Sequence, residues 1–182
     1  LVSARVIDRV GYRRAVMFAH LMAAVGLIGM AVLPGLLGDA YAGILISVVC
    51  YAIGGGIIEV LISPIVEACP TSKKEGAMSL LHSFYCWGHL AVVLLSTLFF
   101  QVFGIGNWQI MAVIWAAVPV ANLFYFSQVP IYPIVSEHEK LSLGGLLKNK
   151  MFWLIVVLMI CAGASEQAMS QWASSFAESA LK

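Results

Sequence analysis

The sequence predicts an all-α, polytopic membrane protein with five transmembrane helices. Three observations carry that prediction. The chain is 62% hydrophobic and only 10% charged, with a mean hydropathy of +0.96, whereas a soluble domain is roughly half apolar. Its apolar residues gather into five stretches near 15–37, 41–66, 78–103, 108–129 and 151–173, each long enough for the ~20 residues a spanning helix requires. The basic residues are partitioned among the connections. Arg5, Arg9, Arg13 and Arg14 precede the first span, Lys73 and Lys74 follow the second, and Lys140, Lys148 and Lys150 follow the fourth. The connections 38–40 and 104–107 hold no Lys or Arg, so nine of ten basic residues share one side and only Lys182 falls on the other. The positive-inside rule makes the shared side cytoplasmic, placing residues 1–14, 67–77 and 130–150 there in a multi-pass protein of the cell membrane.

The first span, from Ala15 to Leu37, contains no charged side chain. Just before it, Asp8-Arg9-Val10-Gly11-Tyr12-Arg13-Arg14 concentrates four charges in seven residues. This Asp-Arg-x-Gly-x-Arg-Arg turn resembles the loop between the second and third helices of the major facilitator superfamily of transporters, with Ala4 at a leading position usually occupied by glycine. The resemblance implies a cytoplasmic gate in which Asp8, Arg9 and Arg13 make charge contacts that form and break between conformations. It gives Gly11 the role of the turn from which the next helix starts. It also implies a partial fold of that superfamily: 1–129 as part of the N-terminal six-helix half, 130–150 as the central linker, and 151–182 as the first helix of the C-terminal half. The chain, which opens on Leu1, then reads as a fragment covering roughly the third to seventh helices, and the remaining helices of the parent become its partners.

The second span carries Gly54-Gly55-Gly56-Ile57-Ile58-Glu59 and, farther on, Ser63-Pro64. This run is similar to the fourth helix of the fucose permease-like branch, which implies sugar:proton symport. The residues support a related reading by themselves. An ionised carboxylate deep in a span costs several kcal/mol unless it faces protein, water or a partner. A Glu that alternates between protonated and charged forms can accept a proton on one side and release it on the other. Glu59 is therefore the candidate for proton coupling, set against a structural acid hydrogen-bonded to a neighbouring helix. Ser47, Tyr51, Gly55, Glu59, Ser63 and Glu67 recur every four residues as a polar or small-residue stripe, and the three glycines permit close backbone approach. Pro64 removes a backbone hydrogen bond and bends the helix. Glu67, beside Lys73 and Lys74, reads as interfacial.

In the third span, Ser79, His82, Cys86, His89 and Ser96 share one helical face. His89 is a candidate for the substrate cavity and His82 lies near the headgroups. Tyr85 and Trp87 read as lipid or packing contacts. A metal site needs three or four ligands in suitable spacing, and no fourth is indicated, so no metal is expected. The four cysteines, Cys50, Cys69, Cys86 and Cys161, have no disulfide or zinc spacing. In the fourth span Asn122 is the single buried amide, a candidate for the substrate cavity set against a contact to a neighbouring helix, and Pro119 a mid-span kink.

The fifth span is apolar only from Met151 to Ala164, about 21 Å of helix, short of the ~30 Å hydrocarbon core. The crossing must continue through Ser165 to Trp172. Glu166 becomes a second intramembrane acid and candidate for proton coupling, with Gln167 and Gln171 as hydrogen-bonding groups for a substrate cavity. Packing on helices outside the sequence is the alternative for this polar half.

Together these readings give a secondary transporter, not an enzyme, that moves a sugar or similar small polar solute by alternating access. The proton gradient drives it, with no cofactor and no nucleic-acid partner. The alternatives are proton-driven efflux of drug-like compounds, an intramembrane metalloenzyme built on His82, Cys86, His89 and Glu59, and a non-transporting membrane sensor. No nucleotide-binding loop supports ATP-driven pumping.

Overall fold

The computed structural model describes residues 10–132 and 143–180, and every regular element among them is helical. Asp8 and Arg9 lie outside the described residues, as does the polar run Ser136–Lys140. The chain divides into two compact units, Leu1–Ile134 and Val135–Lys182.

The first unit holds four spanning helices: α1 (Tyr12–Leu36), α2 (Ala40–Glu67), α3 (Lys74–Phe103) and α4 (Trp108–Gln128). At ~1.5 Å per residue each is ~30 Å long or more, enough for a bilayer core. Gly11 precedes α1 with φ 90°, a conformation glycine adopts without the Cβ penalty. Asp39 starts α2, its carboxylate accepting from the Tyr41 and Ala42 amides at 3.0 and 3.3 Å and so satisfying N–H groups that have no helical partner. Gly104, at φ 80°, turns α3 into a short 3₁₀ segment, Ile105–Asn107, that leads into α4.

α1 is the hub, packing extensively on α2 and on α4. Small residues make the first contact close. A Cβ on Gly26 would lie 2.5 Å from the Tyr51 amide nitrogen, and one on Gly43 would lie 2.6 Å from the Pro34 nitrogen. Gly54 fits equally tightly against Ala19 and Ala23, whereas Gly55 and Gly56 face open space. The expected close approach at the glycine triplet is thus made by Gly54. Without a strong hydrophobic drive between helices in lipid, such van der Waals contact holds helix pairs together. At one end Ala15, Val16 and Leu61 form a buried cluster joined by Ile57, Ile65 and Phe126. α3 contrasts with this trio: it buries none of its residues and meets α2 and α4 only sparsely.

The second unit contains a short α5 (Leu143–Lys148) and the long α6 (Lys150–Ala180). Trp153 donates its indole N–H to the Leu147 carbonyl at 2.9 Å, and Asn149 accepts from the Met151 amide at 2.9 Å. These bonds fix the turn between the two helices. α6 runs unbroken through Ser165–Trp172 and beyond the expected end near 173. Apolar content set that expectation, but no Gly or Pro interrupts 164–180, and Ala, Glu, Met and Gln sustain a helix. Likewise α3 starts at Lys74, four residues before the expected 78, with Glu75 in its first turn, where a negative charge complements the helix dipole.

Candidate functional site

A cleft of ≈660 Å³ opens among α1, α2, α3 and α4, entirely within the first unit. Its polar groups come from all four helices: His20 from α1, Tyr51 and Glu59 from α2, Tyr85 from α3, and Trp115 and Asn122 from α4. Leu27, Ile58, Ile62, Val92 and Val118 supply apolar wall. A few polar groups on a mainly apolar surface, at this size, is the usual form of a small-molecule site.

The four-residue rhythm of α2 explains how Tyr51, Gly55 and Glu59 reach the cleft together, since residues at that spacing share a helical face. Ser47, one turn earlier, instead turns against α1 and donates to the Gly43 carbonyl at 2.7 Å. Beyond the cleft Glu67 makes an exposed 3.5 Å ion pair with Lys74, of a kind worth at most about 1 kcal/mol.

Glu59 and Asn122, expected from the sequence, thus line one cleft. His89 does not line it; the residue is exposed, its ring centroid 6.4 Å from that of Tyr85. Tyr85, expected to contact lipid or pack on a helix, lines the cleft instead, because its position on α3 faces the side where Val92 also points inward. Glu166, Gln167 and Gln171 belong to α6 in the second unit, where all three are exposed. Arg13 reaches across to the end of α4, donating to the Val129 carbonyl at 2.9 Å and the Ser127 carbonyl at 3.4 Å. A cation at these C-terminal carbonyls complements the helix dipole, and the contact places the start of α1 and the end of α4 on the same side of the bundle. Among the described residues no three His, Cys, Asp or Glu side chains come together as metal ligands. His82, Cys86, His89 and Glu59 form no such group there.

Sequence reasoning passed over two cleft residues. Trp115 donates its indole N–H to the Ser96 hydroxyl at 3.0 Å, tying α4 to α3. His20 is 4% exposed, its Nδ1 lies 2.8 Å from the Val16 carbonyl oxygen, and its ring tilts on Phe126 at 5.3 Å between centroids. The signal for His20 was present, for it is the one polar side chain between Ala15 and Leu37.

A family model described as Major Facilitator Superfamily matches residues 1–181. No curated protein and no solved structure matches the chain significantly. The family match covers nearly the whole sequence, and the chain belongs to the major facilitator superfamily, a family of multi-pass secondary transporters rather than enzymes.

Proposed function

We propose that this superfamily chain serves a proton-coupled transporter of the cell membrane that takes up a sugar or similarly small polar solute by alternating access. The observation that carries the reading is Glu59 in the wall of a four-helix cleft with Asn122, Tyr51 and Tyr85. The carboxyl group supplies a proton-exchanging site beside the space a solute would occupy, while the amide and the phenols offer both donors and acceptors to hydroxyl groups. The fucose permease-like run around Gly54–Pro64 favours a sugar as cargo. Nine of ten basic residues on one side favour placing residues 1–14, 67–77 and 130–150 in the cytoplasm.

The test uses the intact protein in weakly buffered, energy-depleted cells. External pH is recorded as fucose, galactose, glucose and other sugars are added in turn. Alkalinisation with one sugar supports symport and identifies a cargo. Glu59→Gln is expected to abolish uphill accumulation while retaining sugar exchange, and normal uphill uptake by that variant refutes the role of Glu59.

The apolar share of the cleft wall favours a second reading, proton-driven efflux of lipophilic compounds. That reading predicts no pH response to any sugar, together with energy-dependent extrusion of lipophilic cations that Glu59→Gln abolishes.

A further inference from the structure

We infer that His20 is a solute-contacting residue whose Nε2 accepts a hydrogen bond from the cargo in the cleft. The inference rests on the uptake reading above and adds a residue to it. Nδ1 lies 2.8 Å from the Val16 carbonyl oxygen. A carbonyl can only accept, so Nδ1 must carry the proton and donate. In a neutral imidazole that leaves Nε2 as a lone-pair acceptor. The tautomer is therefore set by the turn of α1 on which the ring sits.

The remaining contacts hold the ring and leave Nε2 available. Phe126 from α4 tilts against the ring at 5.3 Å, and the side chain is 4% exposed. Nε2 has no hydrogen-bond partner among the described residues, although His20 lines the cleft. No enclosed side-chain nitrogen or oxygen among the described residues lacks a partner. The unpartnered Nε2 is therefore open to its surroundings, and on a residue that lines the cleft it can be satisfied by what fills that cleft. Glu59 and Asn122 line the same space, so His20 supplies a fixed acceptor to a wall that also holds an acid and an amide. A hydroxylated solute presents the donor this acceptor requires.

The test compares the intact wild-type protein with His20→Asn and His20→Gln, using the sugar panel and singly deoxygenated analogues. The Asn amide nitrogen takes about the place of Nδ1 and keeps the bond to Val16 but lacks the acceptor in the cleft. Gln extends an amide oxygen to about the place of Nε2. His20→Asn is expected to raise KM about tenfold with Vmax within about twofold, the scale of one neutral hydrogen bond, and His20→Gln to recover most of the loss. Removing one particular hydroxyl from the sugar is expected to cost the wild type the same factor and His20→Asn nothing further. An unchanged KM in His20→Asn, or a fall in Vmax alone, overturns the inference while leaving the uptake reading in place.

If no sugar is moved, the uptake reading fails, and a measurement independent of cargo decides about His20. With the four native cysteines replaced by serine, His20→Cys and Glu59→Cys are each exposed to a small methanethiosulfonate reagent. Reaction at both positions supports an open cleft in which His20 meets a different donor-bearing solute. Reaction at Glu59→Cys alone overturns the inference, because position 20 is then sealed by packing.

Discussion

Gly54→Ala puts the close α1–α2 contact to its most direct test. A Cβ there would lie 2.5 Å from the Ala19 carbonyl oxygen, 2.6 Å from the Ala23 amide nitrogen and 3.1 Å from the Ala23 Cα. All three are backbone atoms, so no side chain can rotate to make room and the two helices must separate by roughly an ångström. Overpacking of this kind costs about 1–3 kcal/mol. Gly56→Ala is the matched control, two positions away in the same helix with nothing within 4 Å of the new atom. Both substitutions gain the ~0.5–1 kcal/mol by which alanine exceeds glycine in a helix, so their difference isolates the steric cost. Unfolding of the purified protein in mixed micelles of increasing SDS content, followed by circular dichroism, should rank Gly56→Ala above wild type and Gly54→Ala at least about 1 kcal/mol below Gly56→Ala. Equal stability of the two variants would refute the packing argument. The consequence extends to the site, because α2 carries Tyr51 and Glu59 into the cleft and a displaced α2 moves both.

Two further perturbations probe the ties around this pair. Arg13→Ala removes the donors to the Ser127 and Val129 carbonyls; it should speed amide hydrogen exchange in the last turn of α4 and cost about 0.5–1 kcal/mol, the scale of a charge at an exposed helix end, and unchanged exchange there would show that the contact contributes nothing. Trp115→Phe and Ser96→Ala each remove one half of the 3.0 Å bond between α4 and α3; in a double-mutant cycle they should couple by about 0.5–1.5 kcal/mol, whereas additive losses would mean that the bond does not hold α3.

The architecture was legible because its determinants are local. Continuous apolar runs mark the spans, and Gly11, Asp39 and Gly104 lie at the ends of helices that the runs had already delimited. Part of the cleft was also readable: Tyr51, Gly55 and Glu59 share a face by helical periodicity alone. What periodicity within one helix cannot supply is the rotation of that helix against its neighbours. His20 was passed over because the run around it reads as uniform lipid-facing helix, yet Ala15, Ala19 and Ala23 mark it as the packed face. Tyr85 and His89 lie one turn apart on α3, and only the placement of α3 against α2 and α4 sends the tyrosine into the cleft. The end of α6 was misjudged for another reason, since hydropathy reports where a helix meets apolar surroundings and not where its backbone stops.

The cleft has walls of unequal firmness, and this follows from where the small residues fall. Gly26, Gly43 and Gly54 bring α1 and α2 into backbone contact, and the buried Ala112, Ala116 and Pro119 lie on α4, which packs extensively on α1. His20, Glu59 and Asn122 therefore stand on helices locked to one another. Tyr85 stands on α3, which buries no residue and is tied to α4 by the Trp115–Ser96 bond. On the proposed reading, a cleft that holds a proton-exchanging acid in register with a solute, yet admits and releases that solute, is served by a firm wall for the acid and a yielding wall opposite. On that reading Glu59, Asn122 and His20 stand on the closely packed helices and Tyr85 on the sparsely packed one.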